Sequence, residues 1–379
     1  MVFTLGSFVL VTVAVAFVSW LKTKGTDETS KDGYFLGGRS LSGLVIFGSL
    51  MMTNLSAEQL VGRNGQGYAA GMTAMGWETM CPIALTRMAL FFIPKYFKLG
   101  ISTIPEFLES RFDRATRVIV SFIFLVAYIV TMLPLVLYAG SVAMERIFGI
   151  TALMGGNRFM ATTVMCVALG IIGGIYAIFG GLKAVAVSDS LNGIIFIIGA
   201  VILIPVLAFI ALGDGSIAEG IRIFATSSPE HLNAIQPANA QPPYIPWPMI
   251  VLGCGINHIS YWCTNQSIMQ RVLGAKNLKE AQKGSLLTGL TCVFCPIFLV
   301  APGVIQFIYY RTVPAVSAGR HQHLPQSDVG LLRRSGSGHR CYGYSGSAHA
   351  ELCTEGCHHR PYRMLWPDDE PSAVPLPVL

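Results

Sequence analysis

Residues 50–81 read LMMTNLSAEQLVGRNGQGYAAGMTAMGWETMC. The apolar run that leads into them, GLVIFGSLMM at 43–52, has the composition of half a membrane helix. Thr53, Asn54, Ser56, Glu58 and Gln59 then arrive within seven positions, and Gly62, Gly65, Gly67 and Gly71 follow. A charged side chain at bilayer depth costs about 2.5–3.5 kcal/mol on insertion scales. A helix carrying Asn, Ser, Glu and Gln there must turn them toward protein or trapped water. Backbone that unwinds at such a point exposes carbonyls able to hold a cation. The competing reading is a buried polar contact between two helices, and the rest of the chain decides against it.

Of the 379 residues, 53% are hydrophobic and 12% charged, against about 25% charged in a soluble globule. The chain is therefore a polytopic membrane protein, and its net charge of +6 is a topology signal and not a nucleic-acid footprint. Nine cysteines lie scattered, mostly in apolar runs, and imply no disulfide framework. The run 2–21 has no preceding basic residue and no small-residue cleavage site, so it reads as a retained span.

Eight runs are long enough to span: 2–21, 43–70 (broken), 74–94, 115–148, 159–180, 190–212, 247–266 (broken) and 284–310. Lys22, Lys24, Lys31 and Arg39 follow the first, Lys95, Lys98, Arg111, Arg114 and Arg117 the third, Lys183 the fifth, and Arg271, Lys276, Lys279 and Lys283 the seventh. If each run crosses once, all of these share one face, which is then cytoplasmic, and the N-terminus is outside. GISTIPEFLESRFDRATR (100–117) reads as one interfacial helix capped by Thr103 with Pro105 in its first turn. The loop 213–246 carries a short amphipathic helix, IAEGIRIFA, before a proline-rich end.

A second interruption lies in VLGCGINHISYWCTNQSIMQ (251–270), where Asn257, His258, Ser260, Thr264, Asn265 and Gln266 break another apolar run. Disrupted helices at matching places of two halves point to inverted repeats. On that logic the extra span 2–21 precedes a five-helix repeat over 43–212, and 247–310 begins the second repeat. After Tyr310 the composition changes. The segment 311–379 holds six of the eight histidines, is rich in Ser, Gly and Pro, and has no spanning run, so it is expected to be disordered.

Some motifs are set aside. Cys353, Cys357, His358 and His359 have half a zinc spacing, but a zinc site needs four ligands oriented by a fold. GQGYAAG follows no strand and is no dinucleotide fingerprint. Asn54-Leu55-Ser56 and Asn265-Gln266-Ser267 fit a glycosylation pattern at membrane depth, where it has no meaning. No base–nucleophile pair or metal constellation sits within the spans, which argues against an enzyme.

NLSAEQLVG (54–62), YFLGGRSL (34–41), TIPEFLESRF (103–112), YAIFGGLKA (176–184) and YWCTNQSIMQRVLGAKN (261–277) resemble the solute:sodium symporter family. The bacterial sodium/glucose-galactose-type symporters look nearest, and the resemblance covers about residues 2–310. It implies an all-α, LeuT-like inverted-repeat fold in the membrane, with sugar held at the midplane and sodium as coupling ion. It implies no other cofactor or metal, no partner protein and no nucleic acid; the partners are lipid, sodium and a small sugar, at the plasma (inner) membrane. Carried over residue by residue, it assigns sugar contacts to Asn54, Gln59 and Glu78, and the gate beneath the sugar to Tyr261. Cys81, His258 and Asn265 fall at further substrate-facing positions. Sodium is assigned to backbone carbonyls around Met52 and Leu55, with Asp189 on its release path. The chemistry is apt, since a monosaccharide needs amide and carboxylate groups for its hydroxyls and an aromatic face for its C–H surface.

Departures bear on which sugar is taken. His258 stands where galactose-type members have asparagine, Cys81 where they have serine, and Cys292 where lysine is frequent. Arg63 and Arg87 occupy usually apolar positions. The hydroxyl-bearing helix expected after Tyr310 has no counterpart in 311–379, whose composition is that of an out-of-frame GC-rich reading. The sequence therefore predicts a truncated or frameshifted symporter, impaired in transport, with a non-transporting solute sensor or an inert fragment as alternatives.

Overall fold

In the computed structural model both polar interruptions are breaks in the backbone. The structure describes residues 2–24, 30–56, 58–236, 244–312, 331–334 and 340–343. Helix α1 is Val2–Thr23 and α2 is Gly43–Asn54. At the end of α2 the Leu55 N–H donates to the Met51 carbonyl (2.8 Å), and Leu55 itself is extended at φ −87°, ψ 108°. The ladder resumes when the Leu60 N–H donates to the Ser56 carbonyl (3.0 Å), in a widened π turn over Glu58–Gly62 that feeds α3, Arg63–Ala70. Glu78 lies on a short helix, Gly76–Thr79, ahead of α4, Cys81–Arg87.

Helix α5 is Arg114–Ala127, α6 Leu133–Phe148, α7 Arg158–Phe196 and α8 Ile204–Leu212. Further π turns at Met88–Phe92, Tyr128–Met132 and Ile197–Leu203 each end just before Pro94, Pro134 or Pro205. A proline cannot donate to the carbonyl four residues back, and the wider turn accommodates the missing bond. Within α7 the backbone reverses locally at Gly181 (φ 53°, ψ −174°), a conformation that L side chains avoid. The second break separates α9, Gly255–Thr264, from α10, Gln266–Leu273, at Asn265, which is extended. Helices α11, Leu278–Leu299, and α12, Ala301–Thr312, follow.

Among the described residues five stretches are long and apolar enough to cross a membrane: Gly6–Thr23, Arg114–Phe148, Arg158–Ile175, Gly181–Leu212 and Leu278–Arg311. Gly43–Asn54 with Gln59–Leu99, bent by 62°, makes a sixth. The eight expected runs map onto these, with two adjustments. The runs 43–70 and 74–94 both fall in the bent pair. The run at 247–266 is a π turn (Met249–Cys254) plus α9, too short as a helix to qualify alone. The expected helix over 100–117 is two, Ile104–Glu109 and α5, because Asp113 caps the second by accepting from the Thr116 N–H (2.7 Å).

The core runs along α2, α4, α9, α10 and α11, where Leu50, Leu85, Trp262, Met269 and Phe298 are fully buried or nearly so. By contrast α5 buries none of its side chains, the pattern of a lipid-facing helix. Helix α2 lies against both α7 and α11. A Cβ on Gly48 would lie 2.7 Å from Ser190 Cα, and one on Gly284 would lie 2.8 Å from Ile46 Cβ. Small residues let membrane helices approach to this distance, and Ser190 completes the contact by donating its hydroxyl to the Val45 carbonyl (3.0 Å).

A second compact unit begins at Ala315. Among its described residues Leu331–Arg334 pairs antiparallel with Arg340–Gly343, Leu331 opposite Gly343 and Arg334 opposite Arg340. The rest of the expected disordered tail, the Cys353–His359 cluster included, lies outside the described residues.

Candidate substrate cavity and ion path

The first break, the Gly76–Thr79 helix and α9 wall a cavity of about 260 Å³. Asn54 reaches it from the end of α2, Gln59 from the π turn, Arg63 from α3, Trp77 and Glu78 from the short helix, and Asn257, His258 and Tyr261 from α9. Met132, Leu135 and Val136 give it an apolar wall. The polar groups converge because each helix end that carries them would otherwise present them to lipid.

Several of these groups lack a partner. Asn54 Nδ2, Gln59 Oε1 and His258 Nδ1 are buried without a hydrogen bond among the described residues. His258 Nε2 contacts the Trp77 carbonyl, which can only accept, so Nε2 donates there and Nδ1 is left without a partner. Glu78 is 4% exposed. Its nearest cation is Arg63, with Nε 3.9 Å from Oε1. Tyr261 is half-buried and meets Trp262 edge-on, centroids 5.3 Å apart at 88°. An unpartnered buried polar atom costs about 1–3 kcal/mol. Three on one cavity leave hydrogen-bonding capacity that a bound ligand can use.

Seven residues were singled out for substrate, and five of them line this cavity. The other two stand apart. Cys81 is fully buried and lies outside the lining. Asn265 holds the second break together: its Oδ1 accepts from the Ser267 N–H (2.9 Å), the Ser267 hydroxyl (2.8 Å) and the Tyr128 hydroxyl (3.2 Å).

Met52 and Leu55 flank the interruption after α2, where the helical ladder lapses. Asp189 lies on α7, and its Oδ2 accepts from the Ser49 hydroxyl of α2 (2.8 Å). Arg271 of α10 closes this contact. Its Nε donates to Ser49 Oγ (2.9 Å), one terminal nitrogen lies 3.6 Å from Asp189 Oδ2, and another donates to the Ser267 carbonyl (2.6 Å). The helix before the first break and the helix after the second are thus tied to one carboxylate. Sequence reasoning missed this triad, although a lone Asp in one apolar run and an Arg at the foot of another were a signal for it. It also passed over Trp77 and the apolar wall of Met132, Leu135 and Val136.

The profile of the Sodium:solute symporter family matches residues 34–326. The chain belongs to the sodium:solute symporter family. As a family member it is 45% identical over 310 residues to the protein named Uncharacterized symporter YidK of Escherichia coli (strain K12), covering 81% of this chain and 53% of that protein. It is 32% identical over 289 residues to the Sodium/glucose cotransporter of Vibrio parahaemolyticus, covering 75% and 51%. Among solved structures, a Na+-coupled sialic acid symporter in a substrate-bound outward-open state superposes with TM-score 0.67 at 23% identity, over 81% of this chain and 61% of that one. The helical fold is that of these symporters, LeuT-like, and the relatives are transporters and not enzymes. The chain spans about half the length of the curated relatives it matches.

Proposed function

We propose sodium-coupled symport of a monosaccharide with a galactose- or glucose-like ring, bound in the cavity walled by the first break and α9. The observation that carries this reading is the convergence of unpartnered Asn54, Gln59 and His258 on one cavity with buried Glu78. Their donors and acceptors are of both kinds, as hydroxyls require, and Tyr261 offers a ring to the sugar's C–H face. Names of relatives add support, since one is a sodium/glucose cotransporter and others are sodium/myo-inositol cotransporters.

On this reading the carbonyls of Met52 and Leu55 contribute to the sodium site, and Asp189 receives the ion on its way to the cytoplasm. The basic face is cytoplasmic, the N-terminus is outside, and the membrane is the plasma membrane. One sodium ion falling down a tenfold gradient releases about 1.4 kcal/mol, and 100 mV adds about 2.3. That is enough to sustain a sugar gradient of several hundred-fold. The test is equilibrium binding of labelled galactose and glucose to the purified chain in sodium and in potassium. Binding is expected to be tighter in sodium and about tenfold weaker in Gln59→Ala, which loses one of the site's amides. Equal binding in the two salts would sink the coupling, and an unaffected Gln59→Ala would sink the placement of the sugar.

A further inference from the structure

Arg63 is a charged cavity group that the sugar reading leaves unused. Its guanidinium lies over the Trp77 ring, 5.1 Å from the centroid, and donates to Gln66 Oε1 at 3.0 Å. A guanidinium has five N–H donors, and among the described residues Gln66 is its one hydrogen-bond acceptor. Glu78 does not satisfy the others. Its carboxylate is 3.9 Å from Arg63 Nε, whereas charge-assisted N–H···O bonds run to about 2.7–2.9 Å. A counterion placed only to neutralise Glu78 would close that gap. Arg63 is instead held by an aromatic face and an amide, and it lines the cavity. That is the geometry of a preorganised carboxylate receptor.

Charge balance points the same way. Arg63 and Glu78 cancel, so the empty site is neutral. A neutral sugar taken up with one sodium ion would leave the loaded site at +1, at a depth where charge is costly. An acidic sugar with one sodium ion leaves it at zero.

We propose that the substrate is an acidic monosaccharide of the hexuronate type, its carboxylate docked on Arg63 and its ring hydroxyls on Asn54, Gln59, Glu78 and His258. This rests on the sugar-symport reading and narrows its substrate class. A guanidinium–carboxylate bond is worth about tenfold or more in affinity over a neutral contact.

The experiment is equilibrium dialysis of the purified full chain, in detergent with sodium, against labelled galacturonate, its neutral methyl ester and galactose. Galacturonate is expected to bind about tenfold or more tightly than either neutral sugar. Arg63→Met should bring acid and ester to the same affinity. Arg63→Lys, a point charge without the fork, should keep only part of the preference, and it decides the matter if Arg63→Met runs as an aggregate on size exclusion. Acid and ester binding equally to the unaltered chain, or a preference that survives both substitutions in full, overturns the assignment. Galactose bound without any preference for the acid overturns this inference alone. A monodisperse chain that retains none of the three sugars overturns the sugar reading beneath it as well.

Discussion

Replacing Gly48 by valine tests the packing that sets the cavity. The glycine lies where α2 crosses α7, and a Cβ there would come within 2.7 Å of Ser190 Cα and 2.9 Å of Ser190 Oγ. The first of these is backbone and cannot rotate away. Ordinary contact begins at 3.4 Å, so the helices would have to part by about 0.7 Å, before the two valine methyls are placed. Overpacking of this kind costs about 1–3 kcal/mol. Glycine and valine differ little in helix propensity, by about 0.3 kcal/mol, so propensity hardly offsets it. The opened population should rise by a factor of about 5–150. The assay is thermal unfolding in detergent, followed by a thiol-reactive dye, because Cys81, Cys263 and Cys295 are fully buried in the folded chain. The matched control is Gly173→Val on α7, where an added Cβ meets nothing within 4 Å and the change should fall within about 0.5 kcal/mol. If Gly48→Val melts with Gly173→Val, close approach of α2 to α7 does not hold the core together.

Two further expectations follow from named contacts. Arg271→Gln should destabilise the chain by about 3 kcal/mol, since it leaves Asp189 short of its cation in a largely buried setting; adding Asp189→Asn should recover at least about 1 kcal/mol of that in a double-mutant cycle, and strict additivity would deny the coupling. His231 stacks flat on Phe307, centroids 3.8 Å apart, and burial, followed by the charge of Arg311, holds its imidazole below the ordinary value, with Glu230 opposing. A depressed histidine contributes stability that is present above its unfolded value of about 6.5 and is lost as pH falls below it. Acidification from about pH 7.5 toward 5.5 should therefore increase amide exchange over 229–232, and His231→Phe should flatten that dependence; a profile equally steep in the variant would refute it.

How far the chain could be read from its sequence depends on how far each cause acts along it. The breaks after Asn54 and at Asn265 were legible because cost at bilayer depth is local: a cluster of polar residues inside an apolar run has to unwind or hide. The same argument foresaw that Asn54, Gln59 and Glu78 would share a cavity with Tyr261, since none of them could face lipid. Asn265 shows the limit of it. Its polarity drew it into the substrate set by resemblance, yet its carboxamide is spent on the Ser267 N–H and the Tyr128 hydroxyl, and nothing within a few residues of it announced Tyr128. The split of 100–117 was missed, although Asp113 three residues before Thr116 is a cap signal. The Ser49–Asp189–Arg271 triad was not legible, because its members are separated by 140 and 222 positions. Arg63 lies between these cases. Its presence four residues after Gln59 could be seen, but whether it neutralises Glu78 or waits for another carboxylate turns on 3.9 Å against about 2.8 Å.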